Sequence, residues 1–297
     1  MSPVRTALTL ALLMVSATAA AAPQEQRPLT EAERAQRRAD QERRVQEALR
    51  APRPIERSNS VWLEELTWME VRDAIASGVT TVIVPTGGIE QNGPYLALGK
   101  HNYVLEEACE GIARALGNAL CAPIVKLVPE GDHEPASGHM RYPGTISLRQ
   151  ATFEAVLVDV GQSLKAHGFT RIIYIGDSGG NQTGMANAAA ALNARWGAPY
   201  AYHIPEFYRY ADVFAYLERE LGIKEPVNDG LHDDFVITAI MMVHDPATVR
   251  YDQRVAAGKA TINGLSIAPR EKTIEIGRKL LQFRVERTVQ AIRAASR

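Results

Sequence analysis

The chain has 297 residues, of which 46% are hydrophobic and 23% are charged, and its formal net charge at pH 7 is −1. This composition is ordinary for a globular protein. The near-zero charge excludes the strong positive field with which proteins attract nucleic acids, so we expect no nucleic-acid partner.

The N-terminal residues 1–22 have the pattern of a secretory signal peptide. Arg5 is followed by an apolar run over residues 7–15 and by an alanine-rich tract that ends at Ala22. The apolar run is too short to span the roughly 30 Å hydrocarbon core of a membrane. We therefore predict an exported protein, periplasmic or secreted, whose mature form has no membrane span.

Residues 23–58 are polar and charged, in contrast to the rest of the chain. Thr30 and Glu33 form a capping-box pattern, which predicts a helix over residues 31–50. The apolar positions of this helix are mostly alanine, so we expect a solvated arm rather than a core helix. Residues 59–297 form the predicted globular domain.

Within residues 59–297, short apolar runs alternate with segments of helical periodicity. Strands are predicted at residues 80–85, 122–128, 170–175 and 199–203, and helices at residues 67–77, 101–116, 150–167, 182–196, 208–221, 235–243 and 272–295. The run 170–175 is continuously apolar, as in a strand that is buried on both faces of a parallel sheet. The alternation predicts a single α/β domain with a mainly parallel sheet.

Cys109 and Cys121 are the two cysteines of the chain. Cys109 falls in a predicted helix and Cys121 lies beside a predicted strand. Export permits a disulfide, but two cysteines do not define a disulfide framework. We expect two buried free thiols rather than a bridge.

Four loops that follow apolar segments collect side chains able to bind a metal or to transfer a proton. These side chains are Glu90, Gln91, Asn92 and His101 in the first loop, Asp132, His133, Glu134 and His139 in the second, Asp177, Ser178 and Asn181 in the third, and Asp229, His232, Asp233 and Asp234 in the fourth. Ligands of α/β proteins usually bind at the carboxyl ends of the strands. A mixture of carboxylate and imidazole groups suits zinc or manganese, which activates a bound water.

These loops resemble the four motifs of the creatininase (creatinine amidohydrolase) family. The matching segments are PTGGIEQNGPYLALGKH at 85–101, GHMRYPGTISL at 138–148, GDSGGN at 176–181 and HDDFVITA at 232–239. The resemblance implies a three-layer α/β/α fold with a mainly parallel sheet and a two-metal site of zinc or manganese. It also implies hydrolysis of a cyclic or linear amide by a homo-oligomer, often a hexamer.

The metal ligands of the family carry over only in part. Glu90 and His232 match the family motifs, but four other ligand positions are changed and are occupied here by Asn92, His101, Ser178 and Ile237. Because His101 and Asp177 are themselves competent ligands, we predict a rebuilt site. It holds one zinc or manganese ion per chain through Glu90, His101 and Asp177.

We predict that the remaining polar residues of the motifs bind a small-molecule amide substrate or transfer protons during its hydrolysis. We assign proton transfer to His232 and Asp233, with metal ligation as the alternative role of His232, and substrate binding to His139, Asn181 and Ser178. Two alternatives stay open at this point. Ser178 with His232 and a nearby aspartate would form a metal-independent serine hydrolase, and the same pocket in a non-catalytic protein would bind a small ligand.

Overall fold

The computed structural model describes residues 27–226, 230 and 232–295. The chain divides into two compact units, residues 1–52 and residues 53–297. The predicted signal peptide lies outside the described residues. In the first unit, helix α1 (Glu31–Arg50) begins at the predicted capping box, in which the Thr30 hydroxyl and the Glu33 carboxylate each accept a hydrogen bond from the other's backbone amide. No residue of α1 is buried.

The second unit is built on a parallel sheet of four strands. The strands are β1 (Thr81–Thr86), β2 (Ala119–Cys121), β3 (Arg171–Gly176) and β4 (Ala201–His203), and their order in the sheet is β2-β1-β3-β4. Every residue of β1 is buried, as expected for a central strand of a parallel sheet. Because β1 and β3 pair in parallel up to Thr86 and Gly176, the loops that follow these two strands leave the sheet side by side.

Helices flank this sheet and give the predicted three-layer α/β/α arrangement. They are α2 (Trp68–Ala76), α3 (Lys100–Leu116), α4 (Gln150–Ala166), α5 (Asn181–Trp196), α6 (Tyr210–Leu221), α7 (Phe235–His244), α8 (Tyr251–Ala256) and α9 (Arg270–Ala295). Helices α4 and α5 pack against each other, while α3, α7 and α9 form a second group. Among the described helices, none has the length and apolar character needed to cross a bilayer.

The strand predicted at residues 122–128 is wrong in its position. The ladder with β1 lies at Ala119–Cys121, and beyond it the chain keeps isolated hydrogen bonds, from Ala122 to Ile83, from Val125 to Pro85 and from Gly87 back to Val125. Ala122 and Val125 are three residues apart while their acceptors Ile83 and Pro85 are two apart, so the regular parallel pairing is lost after Cys121. The structure also adds α8 and a short antiparallel ribbon, β5 (Thr261–Ile262) with β6 (Leu265–Ser266), which we did not predict.

The expectation of two free thiols is also wrong, because Cys109 and Cys121 form a disulfide. Helix α3 leads directly into β2, so residues only 12 apart in sequence come to lie with their Cα atoms 6.2 Å apart. That separation is within the range that a disulfide spans. The sequence pattern predicted that the two cysteines lie in neighbouring elements. It did not specify that their side chains face each other.

Candidate functional site

A cavity of about 640 Å³ opens at the carboxyl ends of β1 and β3. The first loop brings Glu90 to it from β1, and the third loop brings Asp177 and Ser178 from β3. His139 and His232 reach the same cavity from the second and fourth loops. The four loops singled out in the sequence therefore meet at one place.

Glu90 is the centre of this cavity, and four basic side chains surround its buried carboxylate. Its Oε1 atom lies 2.5 Å from His101 Nε2, 3.3 Å from His232 Nδ1 and 3.5 Å from Lys100 Nζ. Its Oε2 atom lies 3.3 Å from His139 Nε2. Burial alone would raise the pKa of Glu90, but the hydrogen bond and the charge of His101 outweigh it, and the pKa falls below its usual range.

His101 lies between two carboxylates and uses both of its ring nitrogens. Nε2 contacts Glu90, and Nδ1 lies 2.7 Å from Asp177 Oδ2. A histidine that donates from both nitrogens is the charged imidazolium. Burial and the charge of Lys100 act against this form, yet the two carboxylates prevail and raise the pKa of His101.

Asp177 is held from its other side by residues that enter from α6 and α9. Its Oδ1 atom accepts a hydrogen bond of 2.6 Å from Arg284 Nη2 and one of 2.8 Å from the Tyr210 hydroxyl. Although burial opposes ionisation of Asp177, the charge of Arg284 and the bond to His101 lower its pKa. Arg284, Asp177, His101 and Glu90 thus form one continuous buried chain of alternating charge.

Glu130 is a second carboxyl group beside Glu90. Its burial, and next the negative charge of Glu90, raise the pKa of Glu130 to about 10. Two carboxyl groups in contact cannot both ionise readily, so one of them keeps a proton. Glu130 is therefore the protonated member of the pair, and it lines the cavity.

Glu90, His139 and His232 are a group with the geometry of a metal site. Each offers one ligand atom, and these atoms all lie within 4.8 Å of one another. Burial, followed by the charge of Lys100, lowers the pKa of His232 to about 4, so its imidazole is neutral at pH 7 and can offer a lone pair. Among the described residues no other group of three such side chains meets this criterion. The mixed carboxylate and imidazole set fits a divalent metal.

The other residues chosen from the sequence occupy different positions. Ser178 and Asp233 line the cavity, and the Asp233 carboxylate lies against Gly93. None of the hydrogen bonds of the described residues joins the Ser178 hydroxyl to a histidine. Asn181 is fully buried and its side-chain amide donates to the carbonyls of Thr86 and Gly87, so it ties the start of α5 to the end of β1.

Sequence reasoning missed four residues of the site, and only one of them left a local signal. Lys100 precedes His101 within the first motif, so its charge could have been noticed there. Glu130 stands outside the quoted motifs. Tyr210 and Arg284 come from helices that are distant in sequence. The hydrophobic pattern of a helix does not show whether a given tyrosine or arginine is buried or exposed.

The fold and the cavity together define an α/β protein with a candidate metal centre at the carboxyl edge of a parallel sheet. A family model matches residues 64–292, and that family is Creatininase, described as creatinine amidohydrolase. Since this match covers most of the chain, the protein belongs to the creatininase family.

Two curated relatives align with the chain over part of their length. Creatinine amidohydrolase of Pseudomonas putida is 29% identical over 116 residues, which are 39% of this chain and 44% of the relative. The mycofactocin precursor peptide peptidase of Mycolicibacterium smegmatis is 32% identical over 121 residues, which are 39% of this chain and 46% of the relative. Each alignment thus spans less than half of the curated relative.

Solved structures extend the likeness to nearly the whole fold. A manganese form of creatininase has a TM-score of 0.59 at 21% identity, and the match covers 80% of this chain and 98% of that one. A mutant creatininase of zinc–zinc type has a TM-score of 0.60 at the same identity and coverage. These matches confirm the predicted fold.

Proposed function

We propose that the protein hydrolyses a C–N amide bond with the help of one divalent metal ion held by Glu90, His139 and His232. The observation that carries this proposal is the convergence of these three side chains at the edge of the cavity. The family membership and the curated relatives, one an amidohydrolase and one a peptidase, support the same bond type.

The distances between the ligand atoms support a single ion. His139 Nε2 and His232 Nδ1 each lie 3.3 Å from an oxygen of Glu90. One ligand atom from each of the three side chains lies within 4.8 Å of the other two, which is close enough for one ion to contact all three. Zinc and manganese are both compatible with this donor set, and the related structures include one form with each metal.

The ligand set predicted from the sequence is therefore revised. Glu90 remains in it, and His139 and His232 replace His101 and Asp177. The reason is that both nitrogens of His101 face carboxylates and carry protons rather than lone pairs, and that neither His101 nor Asp177 belongs to the group of ligand atoms that lie within 4.8 Å of one another. In this proposal His101 contacts Glu90 and fixes its orientation, and Asp177 in turn holds His101, as hydrogen-bond partners of metal ligands commonly do.

The reaction requires an activated water and a proton for the departing nitrogen. A metal held by Glu90, His139 and His232 would supply an activated water and would polarise the amide carbonyl. Since His232 becomes a ligand, we assign the proton for the departing nitrogen to Glu130, whose raised pKa keeps it protonated at neutral pH. Asp233 and Ser178 line the cavity and stay proposed as a proton-transfer group and a substrate-binding group.

The cavity volume supports a small-molecule amide as the substrate. A volume of about 640 Å³ falls within the usual range of small-molecule sites. A cyclic amide and a short linear amide both fit this range.

We also propose that the protein works outside the cytoplasm as a homo-oligomer. The signal-peptide pattern of residues 1–22 supports export, and the Cys109–Cys121 disulfide agrees with an oxidising compartment. The family resemblance alone supports the oligomer. Mass spectrometry of the mature N-terminus and light scattering of the purified protein test these two statements.

Metal content and amide hydrolysis, measured on the same samples, test the proposed function. We expect about one zinc or manganese ion per chain, and hydrolysis of at least one amide in a panel of cyclic and linear amides. Activity should disappear with a chelator and return with metal. Glu90→Ala should lose both metal and activity. Glu106→Ala, which removes a carboxylate on α3 outside the cavity, should keep both.

Three outcomes would contradict the proposal in different ways. Hydrolysis that continues in the presence of a chelator, together with labelling of Ser178 by a fluorophosphonate, would identify a serine hydrolase. Bound metal without hydrolysis of any amide would favour a binding protein. Metal retained by Glu90→Ala would place the metal elsewhere.

A further inference from the structure

Lys100 places a buried positive charge directly beside the candidate metal ligands. Its side chain is 4% exposed, and its ammonium nitrogen lies 3.5 Å from Glu90 Oε1 and 3.4 Å from His232 Nδ1. It also donates a hydrogen bond of 3.2 Å to the backbone carbonyl of His232. Two of the three candidate ligands are thus in contact with this one ammonium group.

Lys100 is the second cation in contact with the same oxygen of Glu90. Glu90 already has a closer cationic partner in His101, whose Nε2 lies 2.5 Å from the same carboxylate oxygen. Lysine is rarely buried unless it is paired with an acidic group. Lys100 is therefore an additional cation on a carboxylate that already has one, and it lies beside two of the atoms that a divalent ion would have to reach.

We propose that Lys100 sets the metal affinity of this site by competing with the divalent ion for Glu90 and His232. The inference rests on the proposed metal centre and deepens it. When no ion is bound, the ammonium contacts both Glu90 and His232. An ion that binds to Glu90 and His232 has to approach this ammonium, so the site holds its metal more weakly than the three ligands alone would.

Two effects of Lys100 on metal binding oppose each other, and their sizes decide the sign. The hydrogen bond to the His232 carbonyl stabilises the position of a ligand, and losing one such bond from a charged donor would weaken binding by about ten- to a hundredfold. Repulsion between an ammonium and a divalent ion a few ångströms apart is much larger, more than about a thousandfold even at an intermediate dielectric. Removing the charge should therefore tighten metal binding.

Zinc affinity of charge-altered variants tests the inference. Chelator-treated protein is titrated with Zn²⁺ against a fluorescent zinc indicator, and the rise in Tm at a fixed Zn²⁺ concentration is measured in parallel. For Lys100→Met we expect the Kd to fall at least about tenfold and the zinc-induced rise in Tm to increase. Lys100→Arg keeps the charge and should stay close to wild type.

The controls separate the role of Lys100 from general effects. Lys126→Met removes an exposed lysine that is paired with Glu106, and it should leave the zinc affinity unchanged. If Lys100→Met does not fold, Lys100→Gln removes the same charge with a polar side chain. Circular dichroism confirms the fold of each variant before titration.

An unchanged or weaker zinc affinity in folded Lys100→Met or Lys100→Gln would overturn the inference, since Lys100 would then only support His232. A zinc affinity in Glu90→Ala equal to that of wild type would overturn the metal centre itself, and the inference with it. The two failures are therefore distinguishable.

Discussion

Arg284 is the buried cation at the far end of the charged chain that holds Glu90, and replacing it with methionine tests how far the site depends on that chain. Its side chain is 1% exposed. It donates to Asp177, to the Tyr210 hydroxyl and to the Phe207 carbonyl at 2.6, 3.0 and 2.9 Å. Arg284→Met removes all three bonds and leaves Asp177 with a single cationic partner, His101.

The expected loss of stability is large because the broken pair is buried. Removing one partner of a buried ion pair costs about 3–5 kcal/mol. For a unit of this size that corresponds to a fall in Tm of roughly 6–20 °C. The exposed pair of Arg114 with Glu110, whose side chains are 43% and 44% exposed, is a matched comparison. Arg114→Met should cost less than about 1 kcal/mol.

Urea and thermal unfolding followed by circular dichroism, in the presence of a chelator, measure both variants without a contribution from bound metal. The double variant Arg284→Met/Asp177→Asn removes both charges of the pair and should recover part of the loss, because no unpaired aspartate remains. A loss for Arg284→Met as small as that for Arg114→Met would refute the reasoning. The same holds if Asp177→Asn makes the double variant less stable still.

Three further predictions concern the disulfide, the protonated carboxyl group and the buried asparagine. Cys109 and Cys121 are separated by 12 residues, so the double alanine variant should lose about 2–4 kcal/mol in urea unfolding; an unchanged midpoint, with the bridge confirmed by non-reducing mass spectrometry, would contradict this. The pKa of Glu130 is raised from 4.5 to about 10 on folding, so folding takes up a proton between these values and the wild type loses stability as pH rises through this window. Glu130→Gln in metal-free protein should remove up to about 1.4 kcal/mol per pH unit of that slope, and equal slopes would refute the assignment. Asn181→Ala leaves two backbone carbonyls without their donor and should cost about 1–3 kcal/mol, whereas a residue that serves only the substrate would change KM and not the urea midpoint.

The sheet and most helices were predictable because their patterns are local. The buried run of β3 and the capping box of α1 each depend on neighbours in the sequence. The position of β2 depends instead on which backbone amides of residues 119–128 reach β1, and this is set by tertiary packing. The disulfide depends on which sides of α3 and β2 face each other, which no local pattern specifies.

The site was predictable as a set of loops but not as a set of roles. The motifs bring Glu90, His139 and His232 to one cavity, as expected for loops that together form the site of the family. Whether a side chain has a free lone pair for a metal depends on its other partners. For Asp177 the decisive partner, Arg284, is 107 residues away in sequence. We therefore propose that His101 and Asp177 hold Glu90 in place rather than bind the metal.

The central claim is that one metal ion binds to Glu90, His139 and His232, and anomalous diffraction from zinc-loaded crystals tests it most directly. We expect a single anomalous peak at the zinc edge, about 2.0–2.3 Å from one atom of each of these three side chains. A peak between His101 and Asp177, a pair of peaks of equal height, or a peak outside the cavity would contradict the account.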